Sequence, residues 1–374
     1  MRHQGARSGA LQAHASDSAR VVVRIVYQSY GRYSDSPRAV YERIADRPDT
    51  EHIWLSDADH LAAFPSVVAT VPLTSPKAVE VLESADLVVA NTHTDIEWSK
   101  KPGATYLQTW HGTPLKRIHH DALWSPPGLL ERFDRDIARW DVLVSPNAVS
   151  TPRLRQAFRF DKKIIETGYP RNDVLNDPDR DTLRVSVRRE LGLADDMTAV
   201  LYAPTWRDDE YFTDGAPPVT SGMDVPLLAE RLPADHHLLV RSHQLMTGRL
   251  RAVEADRVVD VSYYPDVHDL YLAADVLVTD YSSVMFDFAV TGKPIVFHAY
   301  DLERYATSLR GFYVDLVSTA PGPITRTNAE LAEVLPRIGR LQPAYADRYR
   351  QFQATYCHLE DGHATDRVLS ELGL

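Results

Sequence analysis

A single cysteine, Cys357, stands in 374 residues. One thiol cannot close a disulfide within the chain or build a cysteine metal cluster, and it fits a reducing compartment. Positive charge is also scarce: 41 lysines and arginines face 52 aspartates and glutamates, a formal net charge of -11. Sequence-independent nucleic-acid binding rests on a basic surface that neutralises phosphates, so nucleic acid is not an expected partner. No run approaches the roughly 18 uncharged apolar residues that a membrane-spanning helix needs. Any membrane contact is therefore expected to be peripheral. The patterns GxxxxGK[ST], GxGxxG, HExxH and CxxC are absent, which removes support for P-loop, classical dinucleotide, zincin and thiol-redox chemistry. The opening stretch, Met1–Arg20, is rich in Ala, Ser, Gly and His and carries Arg2, Arg7 and Arg20 against Asp17. It lacks the apolar core of a signal peptide, so residues 1–19 are expected to form a disordered tail.

What is present is an ordinary globular composition, 44% apolar and 25% charged. The length exceeds one α/β core and predicts two domains of similar size. Short Val/Ile/Leu-rich runs recur along the chain: Val21–Tyr27, His52–Leu55, Val67–Val71, Leu87–Ala90, Thr105–Thr109, Val142–Val144, Lys163–Glu166, Val200–Tyr202, His237–Val240, Val258–Val261, Val276–Thr279 and Pro294–Phe297. Such runs are how strands buried on both faces of a parallel sheet read. Amphipathic helical stretches lie between many of them, among them Pro37–Ala45, Leu129–Arg139, Asp181–Leu191 and Val225–Leu232. The alternation predicts an α/β protein with doubly wound parallel sheets. An Asp precedes a buried strand three times, at Asp86, Asp141 and Asp275. The polar, Pro-broken segment Asp177–Asp181 marks the domain boundary between Asn172 and Arg184, giving domains 20–180 and 181–374. A second polar stretch, Asp208–Asp224, reads as a surface loop after a strand.

In open parallel sheets ligands bind beyond the carboxyl ends of the strands, so the residues that follow each strand are the candidates. Trp110-His111-Gly112-Thr113 follows one; His111 suits proton abstraction near neutral pH, or simply caps the turn. Thr205-Trp206-Arg207 follows another. Thr205 and Arg207 can hold phosphate and Trp206 can pack on a base, or the segment is a turn with an interdomain Trp. Arg241-Ser242-His243 follows a third: Arg recognises phosphate bidentately and a neighbouring His can donate to developing charge, or the group is an ion pair at the sheet edge. Asp280-Tyr281-Ser282-Ser283 precedes a helical stretch and offers hydroxyls and free amides to an anion, or a simple N-cap. Asp208-Asp209-Glu210 leaves a divalent cation open, although acidic loops are more often solvated. No organic cofactor is expected.

Taken together these segments resemble the CDP-glycerol glycerophosphotransferase family, the teichoic-acid primases and polymerases and related capsule polymerases. The matching pieces are Tyr30–Arg38, Thr109–Lys116, Gly168–Asp173, Tyr202–Arg207, Arg241–His243, Thr279–Phe288, Leu309–Tyr313 and Asp361–Ala364. They occur in family order across nearly the whole chain. The resemblance implies a GT-B fold, two facing Rossmann-like domains with the active site in the cleft between them. The C-terminal domain would hold a CDP-polyol donor, and the N-terminal domain would present a polyol-phosphate or lipid-linked acceptor. The two active-site histidines map onto His111 and His243. Substrate-binding positions map onto Gly112, Thr113, Arg171, Asn172, Thr205, Trp206, Arg207, Arg241, Asp280, Ser282, Ser283, Asp287 and Arg310. The implied site is cytoplasmic, at the inner face of the membrane. A basic set (Arg132, Arg135, Arg139, Arg153, Arg155, Arg159, Lys162 and Lys163) is either a membrane-facing patch or a solvated helix face. Two alternatives stay open on sequence: a GT-B glycosyltransferase using a nucleotide-sugar, and a non-catalytic module that binds anionic polymer.

Overall fold

The computed structural model describes residues 22–205, 207, 222–241 and 257–374. The tail 1–19, Trp206, the acidic triplet Asp208–Glu210, Ser242 and His243 lie outside the described residues.

Two parallel sheets carry the fold. The first contains β1 (Val23–Gln28), β2 (Thr50–Ser56), β3 (Thr70–Pro72), β4 (Leu87–Ala90), β5 (Thr105–Gln108), β6 (Val142–Ser145) and β7 (Lys163–Glu166) in the order β3-β2-β1-β4-β5-β6-β7. The second contains β8 (Thr198–Tyr202), β9 (His236–Val240), β10 (Val258–Asp260), β11 (Val276–Thr279), β12 (Ile295–His298) and β13 (Ile324–Thr325) in the order β10-β9-β8-β11-β12-β13. Every pairing is parallel. The order reverses between β1 and β4 in one sheet and between β8 and β11 in the other. These are the two switch points at which a crevice opens.

The apolar runs have the reason expected. Along β1, Ile25 and Tyr27 enter one core cluster and Val26 the other. Along β11, Leu277 enters one cluster and Val276 and Val278 the other. Successive side chains point to opposite faces, and both faces are covered by helices, so every position must be apolar. The strand β13, two residues long, carries too little pattern to be read from sequence.

The recurring Asp has a structural account. Asp86 accepts from the Arg24 amide at 2.9 Å, Asp141 from the Tyr106 amide at 2.7 Å, and Asp275 from the Ala199 amide at 2.8 Å. In each case a carboxylate before one strand accepts from the amide of the second residue of the strand beside it and so ties the two strand starts together.

The chain passes between the domains twice. After β7 the segment Pro170–Asn176 leads into the helix Arg180–Glu190, which packs on the helix Val267–Ala273 of the second domain. At the other end the helix Ala364–Leu372 returns to the first domain, where Val368 and Leu369 join the core beneath β1, β4 and β5. The Asp173 carboxylate receives the amides of Ala364 and Thr365 at 2.9 and 2.8 Å and so caps that helix from a distant segment. Arg43 and Lys163 of the first domain pair with Asp366 and Glu371 on it. The end of the stretch 181–374 is thus part of the first domain's packing.

Glu360 is buried at this return point, and its carboxyl accepts from the Tyr169 amide at 3.1 Å. Burial first, then the neighbouring Asp287 charge, pushes its pKa up to about 8 from an ordinary 4.5. Between those values the folded chain holds a proton that the unfolded chain has released, so stability falls as pH rises through that window. Glu360→Gln, neutral throughout, is expected to flatten this slope in melts run from about pH 5 to about pH 8. An unchanged slope would show that Glu360 is not its source.

No helix among the described residues is long and apolar enough to cross a membrane. Most of the basic set is already engaged. Arg132 pairs with Asp95, Arg135 with Glu97, Arg139 with Asp136, Lys162 with Asp141 and Lys163 with Glu371. Arg153 and Arg155 donate to the carbonyls of Pro114 and Phe160. This neutralised arrangement fits the solvated-face reading.

Candidate active site

The loop after β5 carries His111. Trp110 takes a left-handed backbone conformation, φ 55°, which is costly for a bulky residue and turns the chain sharply at the strand end. The indole lies against the His111 ring, tilted by 32°, at 3.9 Å between centroids. The Nδ1 atom of His111 lies 2.6 Å from the carbonyl oxygen of Asn91, the residue that follows β4. A carbonyl only accepts, so Nδ1 carries the proton and Nε2 presents a lone pair. The Tyr30 hydroxyl lies beside both ring nitrogens, 3.2 Å from Nδ1 and 3.3 Å from Nε2. Burial, with Arg171 and His93 adding to it, pushes the His111 pKa down to about 4, against the Asn91 carbonyl and Asp35, which raise it. The ring is therefore neutral at physiological pH.

Gly112 places this wall against the second domain. A Cβ there would lie 2.7 Å from the Cβ of Ser283 and closer still to its hydroxyl. Only glycine lets this backbone approach the Ser283 side chain so closely. Gly112→Ala is expected to force the walls apart, with about 1–3 kcal/mol of lost stability from overpacking and a fall in turnover. Thermal melts and product assays on the same preparation check it; wild-type values for both would show that the contact is not limiting. Thr113, the next residue, is buried.

Ser282 and Ser283 follow β11 and lead into the short helix Val284–Ala289. Across the switch point, Thr205 follows β8. Its amide donates to Asp280 at 2.7 Å, while its buried Oγ1 has no hydrogen-bond partner among the described residues. Arg207 is buried and fully engaged: it donates to Asp280 at 2.9 Å and to both oxygens of Asp301 at 2.8 and 2.9 Å. Three tyrosine rings, Tyr281, Tyr300 and Tyr305, surround it. Asp280 and Arg207 thus brace the floor of the second crevice.

Arg171, Asn172 and Asp287 form a second buried network. Arg171 pairs with Asp35 at 3.0 Å and with Asp287 at 2.9 Å, and Asn172 donates to the same Asp287 at 3.1 Å. Burial alone would lower the Arg171 pKa, but Asp287 and Asp35 more than offset it. The Asp35 amide in turn donates to Asp266 of the second domain at 3.1 Å. Arg241, after β9, donates through Nη1 to the carbonyls of Val261 and Tyr264 at 3.0 and 2.9 Å. Arg310 precedes Gly311, whose carbonyl accepts from the Arg117 amide and joins the domains once more.

Residues from the carboxyl ends of both sheets thus meet at one place: His111 and Gly112 on one side, Ser283 on the other. Residues 17–373 match the family described as CDP-Glycerol:Poly(glycerophosphate) glycerophosphotransferase.

The chain belongs to that family.

It is 39% identical over 346 residues to the teichoic acid glycerol-phosphate transferase of Staphylococcus aureus, covering 90% of this chain and 89% of that one. It is 35% identical over 362 residues to the teichoic acid poly(glycerol phosphate) polymerase of Bacillus spizizenii, covering 93% and 91%. The solved structure of the wall teichoic acid polymerase TagF superposes with a TM-score of 0.83 at 35% identity, over 94% of this chain and 88% of that one. The GT-B architecture that the sequence resemblance implied for this glycerophosphotransferase is the one found.

Of the site residues read from sequence, the fold gathers His111, Gly112 and Ser283 at the junction, with Thr205, Ser282 and Arg241 at neighbouring strand ends. Arg171, Asn172, Arg207, Asp280 and Asp287 are instead committed to buried ion networks behind it. Sequence reasoning missed Tyr30, Asn91 and Asp35. Tyr30 and Asp35 sit in the segment quoted for its family resemblance, so a signal existed for them. Asn91 acts through its main-chain carbonyl, which no residue type advertises.

Proposed function

We propose that this chain transfers glycerol phosphate from CDP-glycerol to a hydroxyl of a teichoic-acid-type polymer, releasing CMP. Family membership supports the reaction class. The observation that carries the residue assignment is the close approach of Gly112 to Ser283, which sets His111 opposite the second crevice.

In this reading the acceptor hydroxyl takes the place where the Tyr30 phenol now meets Nε2 of His111. His111 accepts the proton as the hydroxyl oxygen bonds to the β-phosphorus. The bond from that phosphorus to the bridging oxygen breaks, and the electron pair leaves with CMP. Arg241 and the hydroxyls of Thr205, Ser282 and Ser283 bind the diphosphate and bear its charge. His243, outside the described residues, is assigned to the same charge from the resemblance. Arg207, Asp280, Arg171, Asn172 and Asp287 act as positioning residues. Phosphoryl transfer of this kind needs mainly alignment and electrostatic support. Peripheral contact with a membrane that carries a lipid-linked acceptor belongs to the same proposal.

The test is CMP release from CDP-glycerol and, separately, from CDP-ribitol, with and without a glycerol-phosphate oligomer or a lipid-linked acceptor. Acceptor-dependent CMP release from CDP-glycerol is expected. Binding of CDP-glycerol with no turnover under any condition would favour a non-catalytic polymer-binding module instead.

A further inference from the structure

A group of histidines in the first domain has no part in the proposed reaction. His119 and His120 stand in the short turn His119–Asp121, and Asp134 lies on the helix Leu129–Ile137. One possible ligand atom from each of the three lies within 4.8 Å of those of the other two. Among the described residues no second trio of histidine, cysteine or acidic side chains converges so closely. His120 Nε2 is 2.9 Å from Asp134 Oδ1. In a tetrahedral zinc site with bonds of about 2.0–2.2 Å, neighbouring ligand atoms stand roughly 3.3 Å apart. That pair is near ligand spacing, and His119 needs only a small closing movement to join it.

His119 is 8% exposed. Its Nε2 lies 2.8 Å from Nε2 of His93, and its buried Nδ1 has no hydrogen-bond partner among the described residues. A buried ring nitrogen without a partner is unfavourable, and a bound ion is one of the few things that satisfies it.

The residues behind His119 suit the support of a metal ligand, because a ligating histidine donates its other N–H to a fixed acceptor. With Nδ1 on a metal, the His119 proton sits on Nε2 and is donated to Nε2 of His93. His93 then carries its own proton on Nδ1, which faces the Asp136 carboxylate at 3.6 Å. Asp136 is held in turn by the Thr94 amide at 3.1 Å and the Trp140 indole N–H at 2.9 Å. The His93 ring stacks on Phe133 at 4.1 Å and on Trp140 at 5.3 Å between centroids. The Asp134 side chain is 42% exposed, so an ion can enter from solvent.

We propose that His119, His120 and Asp134 form a binding site for a divalent transition-metal ion of the zinc class, with His93 and Asp136 orienting His119. Two imidazoles and a carboxylate favour such an ion over magnesium, which takes oxygen ligands. Water completes the tetrahedron. The ion ties the helix Leu129–Ile137 to a turn that also holds the second domain, where the Tyr313 hydroxyl donates to Asp121 at 2.6 Å. Neither donor nor acceptor is needed to hold it, so the site stands or falls independently of the proposed reaction.

The test uses the untagged full chain, freed of metal with a chelator and dialysed. Calorimetric titration with Zn²⁺ is expected to give one ion per chain. Zn²⁺ should raise the melting temperature and Mg²⁺ should not. Co²⁺ should give the visible absorption band of a four-coordinate site. His120→Ala and Asp134→Asn leave the buried His119 ring in place, and each should weaken Zn²⁺ binding by more than about 100-fold and abolish the Co²⁺ band. His93→Gln should weaken it by about 10- to 100-fold, the range for a partner that orients a metal ligand. Equal Zn²⁺ affinity in wild type, His120→Ala and Asp134→Asn would put the ion on other histidines and overturn the site. So would a wild-type chain with no Zn²⁺ binding and no Co²⁺ band, which would make His120 and Asp134 an ordinary ion pair. The Co²⁺ spectrum is read on the wild-type chain, so the outcome does not depend on any variant folding.

Discussion

His111→Ala is expected to lower kcat by about 10²–10⁴-fold while leaving the affinity for CDP-glycerol unchanged. In the proposed reaction the imidazole meets the incoming hydroxyl and not the nucleotide, so its loss removes an interaction of the transition state. Its tautomer is fixed by the Asn91 carbonyl, which leaves Nε2 as the accepting atom. With the pKa held down to about 4 by burial, the base form persists throughout the neutral range. The acidic limb of kcat/KM assigned to His111 should therefore lie near pH 4 and not near 6.5. Bound diphosphate brings negative charge close and favours the protonated ring, so the limb for kcat should lie higher than the limb for kcat/KM. Steady-state kinetics from acid to neutral pH, with calorimetric titration of donor into the variant, decide the matter. Undiminished turnover in His111→Ala would remove this residue from the chemistry.

Arg171→Met should cost about 3–5 kcal/mol of stability, the penalty for removing one partner of a buried ion network. Arg171 joins Asp35 and Asp287, and the three side chains are 3%, 17% and 5% exposed. Without the guanidinium, two carboxylates and the Asn172 amide remain in a poorly solvated pocket. The loss should appear as a lower denaturant midpoint with m unchanged. Because Asp35 also binds Asp266 through its amide, the variant should lose catalytic efficiency beyond its loss of stability. A midpoint within experimental error of wild type would mean that water replaces the arginine at no cost.

Much of the fold was legible in the sequence, because a sheet covered on both faces leaves an uninterrupted apolar run. Leu87–Ala90, Lys163–Glu166 and Val276–Thr279 are strands with the same ends that the sequence pattern gives. The short β13 was not legible, since two residues hold no periodicity. The return of Ala364–Leu372 to the first domain was not legible either. An amphipathic helix announces that it has an apolar face but not which core will receive it. On spacing alone His111 was either a crevice histidine or a cap of the turn, and the family resemblance singled it out. The ion networks that hold Arg171, Arg207 and Asp287 were not legible, because a buried ion network and a phosphate site draw on the same residue types and the partners Asp35, Asp280 and Asp301 are distant in sequence.

The double passage of the chain between domains limits how the enzyme can open. With one connecting segment, the two halves would be free to twist as well as to swing. With a second covalent tie at Ala364–Leu372, anchored by Asp173, Arg43 and Lys163, twisting would strain both ties at once. What remains is a swing about the hinge line that joins the two crossings. Admission of a long polymer and release of CMP must then share that single rotational freedom.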